Sequence, residues 1–258
     1  MEKNDALLSV KGVSKYFGGL TALNSVDLTV RKGTVTALIG PNGAGKTTLV
    51  NIISGAYSAS GGDVFFEGRL INELPPHKRA EMGLTRTFQL TKLFEEMSVL
   101  ENVMVGAHTW ARKGNLWRTV LNFPSVRRER NEVYEYAMDI LRLTNIERFA
   151  HEKAGNLPHG RQRVLEVARA VATRARLVLL DEPAAGLNAR EEDMLQEVLR
   201  SVVRSGVTIL LVEHHMRLVM SISDSVHVLA LGSKIAEGTP NEIGRNAAVV
   251  KAYLGKEY

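Results

Sequence analysis

Three nearly unbroken apolar runs of strand length punctuate the chain, at Thr34–Ile39, Leu177–Leu180 and Val207–Val212. Runs this short without polar alternation suit strands covered on both faces, as in a parallel sheet. Shorter β-type runs at Leu7–Val10, Val26–Val30 and Asp63–Phe66, the last followed by Gly68, predict an initial antiparallel piece. From Ser98 to Leu143 the period lengthens. Val133, Tyr136, Ala137, Ile140 and Leu141 recur at three- and four-residue spacing, which gives a helix one apolar face. Val164, Leu165, Ala168, Val171 and Ala172 form a second such stripe, and Pro240, Gly244 and Tyr253 fall in a polar helical tail. The alternation predicts an α/β fold: a largely parallel sheet, an antiparallel β piece and an inserted helical lobe.

The first of the buried runs leads into Gly40-Pro41-Asn42-Gly43-Ala44-Gly45-Lys46-Thr47-Thr48. Two glycines five apart, followed by Lys and Thr, fit the phosphate-binding loop. Glycines let successive N–H groups curl around a phosphate, and the helix that follows adds partial positive charge. Lys46 is expected to reach the β- and γ-phosphates, and the Thr47 hydroxyl to ligate Mg²⁺. A nucleoside triphosphate is the expected ligand. The second run ends in Asp181-Glu182. Functional groups in such sheets gather at the carboxyl ends of strands, so Asp181 is expected in the Mg²⁺ shell and Glu182 as the general base. The third run ends in Val212-Glu213-His214, where His214 can reach the γ-phosphate; the adjacent His215 is assigned a structural role. Gln89, at the end of a possible strand entering the helical lobe, carries no message alone.

Composition adds bounds. The chain has 258 residues, 45% hydrophobic and 24% charged, enough for one main domain with a smaller lobe. A net charge of +5 suits an anionic ligand or nearby acidic lipid and does not call for nucleic acid. The basic cluster between Arg112 and Arg130 reads as a solvated helix face. Without cysteine, disulfides and thiolate metal sites are excluded. Met1–Asp5 lacks a signal-peptide core, and no apolar run approaches the ~18 residues of a membrane span.

The phosphate loop, Gln89, Leu157-Pro158-His159-Gly160-Arg161-Gln162-Arg163, Leu177–Glu182, Ala185-Gly186-Leu187-Asn188 and His214 follow one another in a specific order. In that order and spacing the chain resembles the ATP-binding-cassette ATPases over essentially its whole length. Arg86–Gln89 with Leu93–Val103, Leu180–Asn188, and Gly238-Thr239-Pro240 with Ala252-Tyr253-Leu254-Gly255 resemble the narrower LivG-type branch, which serves branched-chain amino-acid importers.

The resemblance implies a single P-loop ATPase domain over 1–258. Residues 1–88 and 164–258 form the nucleotide-binding core with its β subdomain and C-terminal tail, and 89–163 the helical subdomain. It implies ATP or ADP and Mg²⁺ as ligands, with Glu182, His214 and Gln89 catalytic and Thr47, Gln89 and Asp181 at the metal. Phe17 resembles the aromatic that stacks on adenine. Two cassettes are implied to pair head to tail, with Gly160 in the signature loop contacting the partner's ATP. Further implied partners are two transmembrane permease subunits, a second ABC ATPase (heterodimer favoured over homodimer) and, indirectly, a solute-binding protein. No nucleic acid is implied, and the place is the cytoplasmic face of the cell membrane. Two residues depart from the common pattern: Pro158 removes a hydroxyl and an N–H from the signature loop, and Asn188 replaces the usual Asp. Alternative readings are an ATP-dependent regulatory switch, or the ATPase of a urea, amide or lipopolysaccharide transporter.

Overall fold

The structure is a computed structural model that describes residues 5–87, 93–111 and 124–254. The chain opens with a long hairpin, β1 (Ala6–Phe17) and β2 (Leu20–Arg31), paired antiparallel. Along β2 the side chains of Leu23, Val26, Leu28 and Val30 are buried, while Asp27, Thr29 and Arg31 face water. That alternation is the period of a one-sided sheet. β3 (Val35–Ile39) is buried throughout and runs into α1 (Lys46–Ser54). β4 (Gly61–Phe66) and β5 (Arg69–Leu70) then complete a four-stranded antiparallel sheet in the order β2-β1-β4-β5.

After α2 (Pro76–Glu81), β6 (Leu84–Arg86) begins the outer edge of a second sheet. The helical stretch supplies α3 (Val99–Ala111) and α4 (Pro124–Leu143), and α5 (His159–Val171) follows. Ser98 and Glu101 start α3 reciprocally: the Ser98 hydroxyl accepts from Glu101 N–H, and the Glu101 carboxylate accepts from Ser98 N–H. α5 runs unbroken through position 163. β7 (Leu177–Asp181), α6 (Ala189–Arg204), β8 (Thr208–Val212) and α7 (Met216–Ile222) restore the α/β alternation. β9 (Ser225–Ala230), β10 (Ser233–Gly238), α8 (Pro240–Gly244) and α9 (Ala247–Leu254) close the described chain.

The second sheet has the order β10-β9-β3-β8-β7-β6, parallel throughout except for β10. Successive residues of a strand point to opposite faces, and here they enter different cores. Val178, Leu180, Ile209 and Leu211 pack beneath α3, α4, α5 and α6. Leu177, Leu179, Leu210 and Val212 pack with α1 and the antiparallel sheet. Ala37, Ile39, Val226 and Val228 pack with residues of α7, α8 and α9. The hydrophobic pattern does not predict β9 and β10. β9 carries the buried His227 among its apolar residues, and β10 is only half covered, with Lys234 and Glu237 along it. Neither presents an unbroken apolar run.

Candidate functional site

Register builds the site. Leu38 of β3 pairs with Val212 of β8, and Val212 pairs with Asp181 of β7. The three strands therefore end side by side, and their outgoing loops carry Gly40–Gly45, Glu213–His215 and Glu182–Ala184. Parallel strands put these ends on one edge of the sheet, the usual place for ligands in such folds.

The phosphate loop needs its glycines for space as well as for backbone angle. Gly40 has φ 149°, and a Cβ there would lie 2.1 Å from the Leu229 carbonyl oxygen; Gly45 has φ 102° and would meet Ala22 O at 2.7 Å. The loop closes on itself through Ala44 N–H to Pro41 O, 3.2 Å, and is pinned from the β9–β10 turn by Gly232 N–H to Ala44 O, 3.2 Å. Lys46 is buried, and its ammonium donates to Gly40 O at 2.6 Å and Pro41 O at 3.1 Å. At the start of α1, Gly45 supplies no side-chain cap, and the first turn holds no acid. Such a helix start favours an anion. Thr47 is exposed in this first turn and Thr48 half-buried beside it; Asn42 and Gly43 are exposed on the loop.

Asp181 is buried at the end of β7. Its Oδ2 accepts from Arg86 Nη2 at 2.9 Å, whereas Oδ1 is buried without a hydrogen-bond partner among the described residues. Arg86 also donates to Asn51 Oδ1 in α1, so one guanidinium ties β6, β7 and α1 together. Glu182 is half-buried in the left-handed region, with φ 50°. Non-glycine residues reach that region at a cost of about 1–2 kcal/mol and concentrate where function needs them. Its N–H donates to Val212 O at 2.9 Å. His214 is exposed, with Nδ1 3.6 Å from Glu182 Oε1 and 3.8 Å from Glu213 Oε2. His215 turns away, its Nδ1 3.6 Å from Glu192 Oε2 of α6.

Asp181, Glu182 and His214 are thus brought beside the phosphate loop. Gly160 is not in that group: a Cβ there would meet the Glu191 side chain at 2.7 Å, and the Glu191 Oε1 accepts its N–H at 3.2 Å. Pro158 is the N-cap of α5, and Asn188 caps α6 by accepting from Arg190 and Glu191 N–H. Phe17 is 44% exposed at the β1–β2 turn, edge-on to Tyr57 at 5.7 Å, with Lys15 Nζ 5.0 Å from its ring centre. Gln89, and with it the polar end of the strand entering the lobe, lies outside the described residues, as do Arg112, Trp117, Arg118 and Phe123. Beyond residue 92, Asn102 of α3 holds Phe94 through both main-chain groups, at 3.0 Å each. Sequence reasoning missed Arg86 and Glu213. Glu213 stood next to His214 and Arg86 three positions before Gln89, but nearness along the chain does not reveal a contact across strands.

A phosphate loop between a buried parallel strand and a helix, with paired acids two strands away, defines a P-loop nucleotide-binding fold. Residues 23–185 match the family model described as ABC transporter, and residues 233–258 the model described as branched-chain amino acid ATP-binding cassette transporter. The chain belongs to the ATP-binding cassettes of ABC transporters. It is 45% identical over 251 residues to the high-affinity branched-chain amino acid transport ATP-binding protein BraF of Pseudomonas aeruginosa, spanning 97% of this chain and 98% of that protein. It is 43% identical, with the same coverage, to the LivG protein of the same description from Escherichia coli K12. A crystal structure described as the ADP conformation of an ATP-binding cassette of an ABC transporter superimposes with a TM-score of 0.84 at 32% identity, covering 97% of this chain and 99% of that one. A nucleotide-free cassette gives 0.82 at 31%, covering 97% and 100%.

Proposed function

We propose that this chain is the ATP-hydrolysing subunit of an importer of branched-chain amino acids. The observation that carries the chemistry is the alignment of Asp181, Glu182 and His214 beside the phosphate loop. The solute is supported by full-length similarity to BraF and LivG and by the matching C-terminal segment.

ATP enters with its triphosphate over residues Gly40 to Thr48. Lys46 exchanges the Gly40 and Pro41 carbonyls for the β- and γ-phosphate oxygens, and the N–H groups of the first turn of α1 face the anion. Phe17 stacks on the adenine. The unpartnered, buried Oδ1 of Asp181 and the exposed Thr47 hydroxyl fit a Mg²⁺ shell of hard oxygen ligands. A cation held by Asp181 and Thr47 would supply positive charge to offset that of the triphosphate. Glu182 accepts a proton from water as its oxygen bonds the γ-phosphorus and the bond to ADP breaks, giving ADP and phosphate. His214 holds a γ-phosphate oxygen, and Gln89 would contribute a further ligand to the metal and orient the water.

A second cassette offers its own signature loop to this ATP, and Gly160 of this chain meets the ATP of that partner. Only ATP, with its γ-phosphate, bridges the two, so binding closes the pair and hydrolysis releases it. The partner is a second ABC ATPase, favoured as a different chain. Two permease subunits take up the motion through the helical lobe at the cytoplasmic face, and a solute-binding protein delivers the amino acid. Among the described residues no helix is long and apolar enough to cross a membrane.

Steady-state hydrolysis by the purified chain with Mg²⁺, beside Glu182→Gln, tests the reading. Turnover lost in the variant with ATP binding kept is expected. Turnover that persists in Glu182→Gln sinks the assignment of the base. Hydrolysis unaffected by co-purified permease subunits would instead favour a regulatory switch, and reconstituted uptake of leucine against urea would identify the solute.

A further inference from the structure

We infer that Glu213 is a positioning residue for hydrolysis, one buried carboxylate that fixes Glu182 and His214 relative to each other. The inference rests on the roles proposed above for those two residues. Glu213 is the first residue after β8 and is completely buried. Its Oε1 accepts the N–H of Ala184 at 2.9 Å, in the loop that carries Glu182. Its Oε2 accepts the N–H groups of His214 at 2.8 Å and His215 at 3.0 Å. One side chain therefore clasps both loops that leave the paired ends of β7 and β8.

The two arms do different things. The Ala184 bond closes the turn two residues beyond Glu182, the residue held at φ 50°, and so helps to keep that left-handed backbone in place. The paired bonds to His214 and His215 set the direction in which the chain leaves β8. They fix where the His214 ring lies, with Nδ1 3.6 Å from Glu182 Oε1. The separation between the proposed base and the γ-phosphate ligand is thereby imposed from beneath, by a fully buried group.

Burying a carboxylate is costly, and only several good hydrogen bonds offset it. The particular demand here is two acceptor oxygens pointing opposite ways. Glutamine has the size of glutamate but only one acceptor oxygen. Whichever way its amide turns, its NH₂ confronts either the Ala184 N–H or the pair from His214 and His215. Glu213→Gln therefore preserves volume and cuts one loop from the other.

The experiment is ATP hydrolysis by the full chain carrying Glu213→Gln, with Glu182→Gln and His214→Ala in parallel and thermal melting to choose a temperature at which all are folded. Misplacement by about an ångström costs up to ~100-fold in rate, so kcat is expected to fall about ten- to a hundredfold. KM and the dissociation constant for ATP should stay unchanged, because the lost interaction shapes the reaction and not the binding. In the His214→Ala background the further loss should be smaller than in the wild type, since part of the effect runs through His214. Should Glu213→Gln fail to fold, Glu213→Asp keeps both oxygens but withdraws them by one methylene, and a lowered kcat at constant KM is again expected. Wild-type kcat in the folded variant, a rise in KM alone, or full additivity with His214→Ala overturns the role of Glu213. If Glu182→Gln and His214→Ala both hydrolyse normally, the proposed roles of those residues fall first and this inference with them.

Discussion

The main-chain N–H of Gly160 donates to the Glu191 carboxylate at 3.2 Å, while the other oxygen of that carboxylate accepts from Asn188 N–H at 3.1 Å. A negatively charged group of the same chain thus occupies the helix start that is proposed to meet the γ-phosphate of a partner's ATP. Glu191→Ala removes that occupant and also the capping box of α6. The loss of such a cap costs about 1 kcal/mol, so the melting temperature should fall by a few degrees. ATP-dependent association of the hydrolysis-blocked chain should nevertheless strengthen, read by light scattering of Glu182→Gln with and without Glu191→Ala. Weaker association in the double variant would show that Glu191 supports the signature loop instead of competing for it.

Arg86 and Asp181 form a pair in which the carboxylate is wholly enclosed and the arginine side chain is partly exposed. Removing one partner of a buried pair leaves the other charged and unsatisfied, at a cost of about 3–5 kcal/mol. Arg86→Ala should lose about that much in denaturant unfolding. If Asp181 also serves the metal, Mg²⁺ with ATP should recover more stability in Arg86→Ala than in the wild type, and ATP with chelator should not.

Leu231 is 93% exposed at φ 47°, in the tight turn between β9 and β10. A branched apolar side chain gains nothing there, and the left-handed backbone costs about 1–2 kcal/mol, a cost asparagine bears more easily. Leu231→Asn should raise stability by about 1 kcal/mol. A lower melting temperature would mean that Leu231 makes a favourable contact in the folded chain.

His227 is buried on β9, and that burial pushes its pKa below the ordinary histidine value. The Glu237 carboxylate, 3.6 Å away on β10, and the Thr29 backbone offset part of the shift, while Lys234 adds to it. The unfolded chain, with its histidine near pH 6.5, then takes up a proton before the folded chain does. Stability from this residue is present above that pH and is lost as the pH falls toward the lower folded value. Glu237 is itself held below the usual carboxylate range, despite a desolvation that acts the other way, by the Lys234 hydrogen bond and neighbouring positive charge, so it remains ionised through this window. His227→Leu should show a shallower decline in unfolding free energy as the pH falls below about 6.5 than the wild type. Parallel curves would contradict the assignment.

The phosphate loop was legible because its demands are local. A left-handed Gly45 and a Gly40 pressed against Leu229 O allow no side chain, so the glycine pattern is printed in consecutive residues. The buried strands β3, β7 and β8 were legible for a similar reason, since covering both faces leaves each of them apolar or nearly so along its length. The edge region was not. β9 and β10 carry His227, Lys234 and Glu237, which read as polar interruptions until pairing places them. The acids of Asp181-Glu182 could be marked from their place after an apolar run; Glu213 also follows such a run, Val207–Val212, but nothing local showed that its carboxylate reaches back to Ala184.

The sequence by itself determined the class of fold, the phosphate loop, and the strand ends where chemistry belongs, because strand period and glycine geometry act within a few residues. The tertiary structure alone decided which groups meet. Arg86 reaches Asp181 across 95 positions, Glu213 reaches Ala184 across 29 and Glu191 reaches Gly160 across 31. Such contacts depend on the register of parallel strands joined by long crossovers, and that register is set by how whole faces pack, not by the residues on either side of each contact.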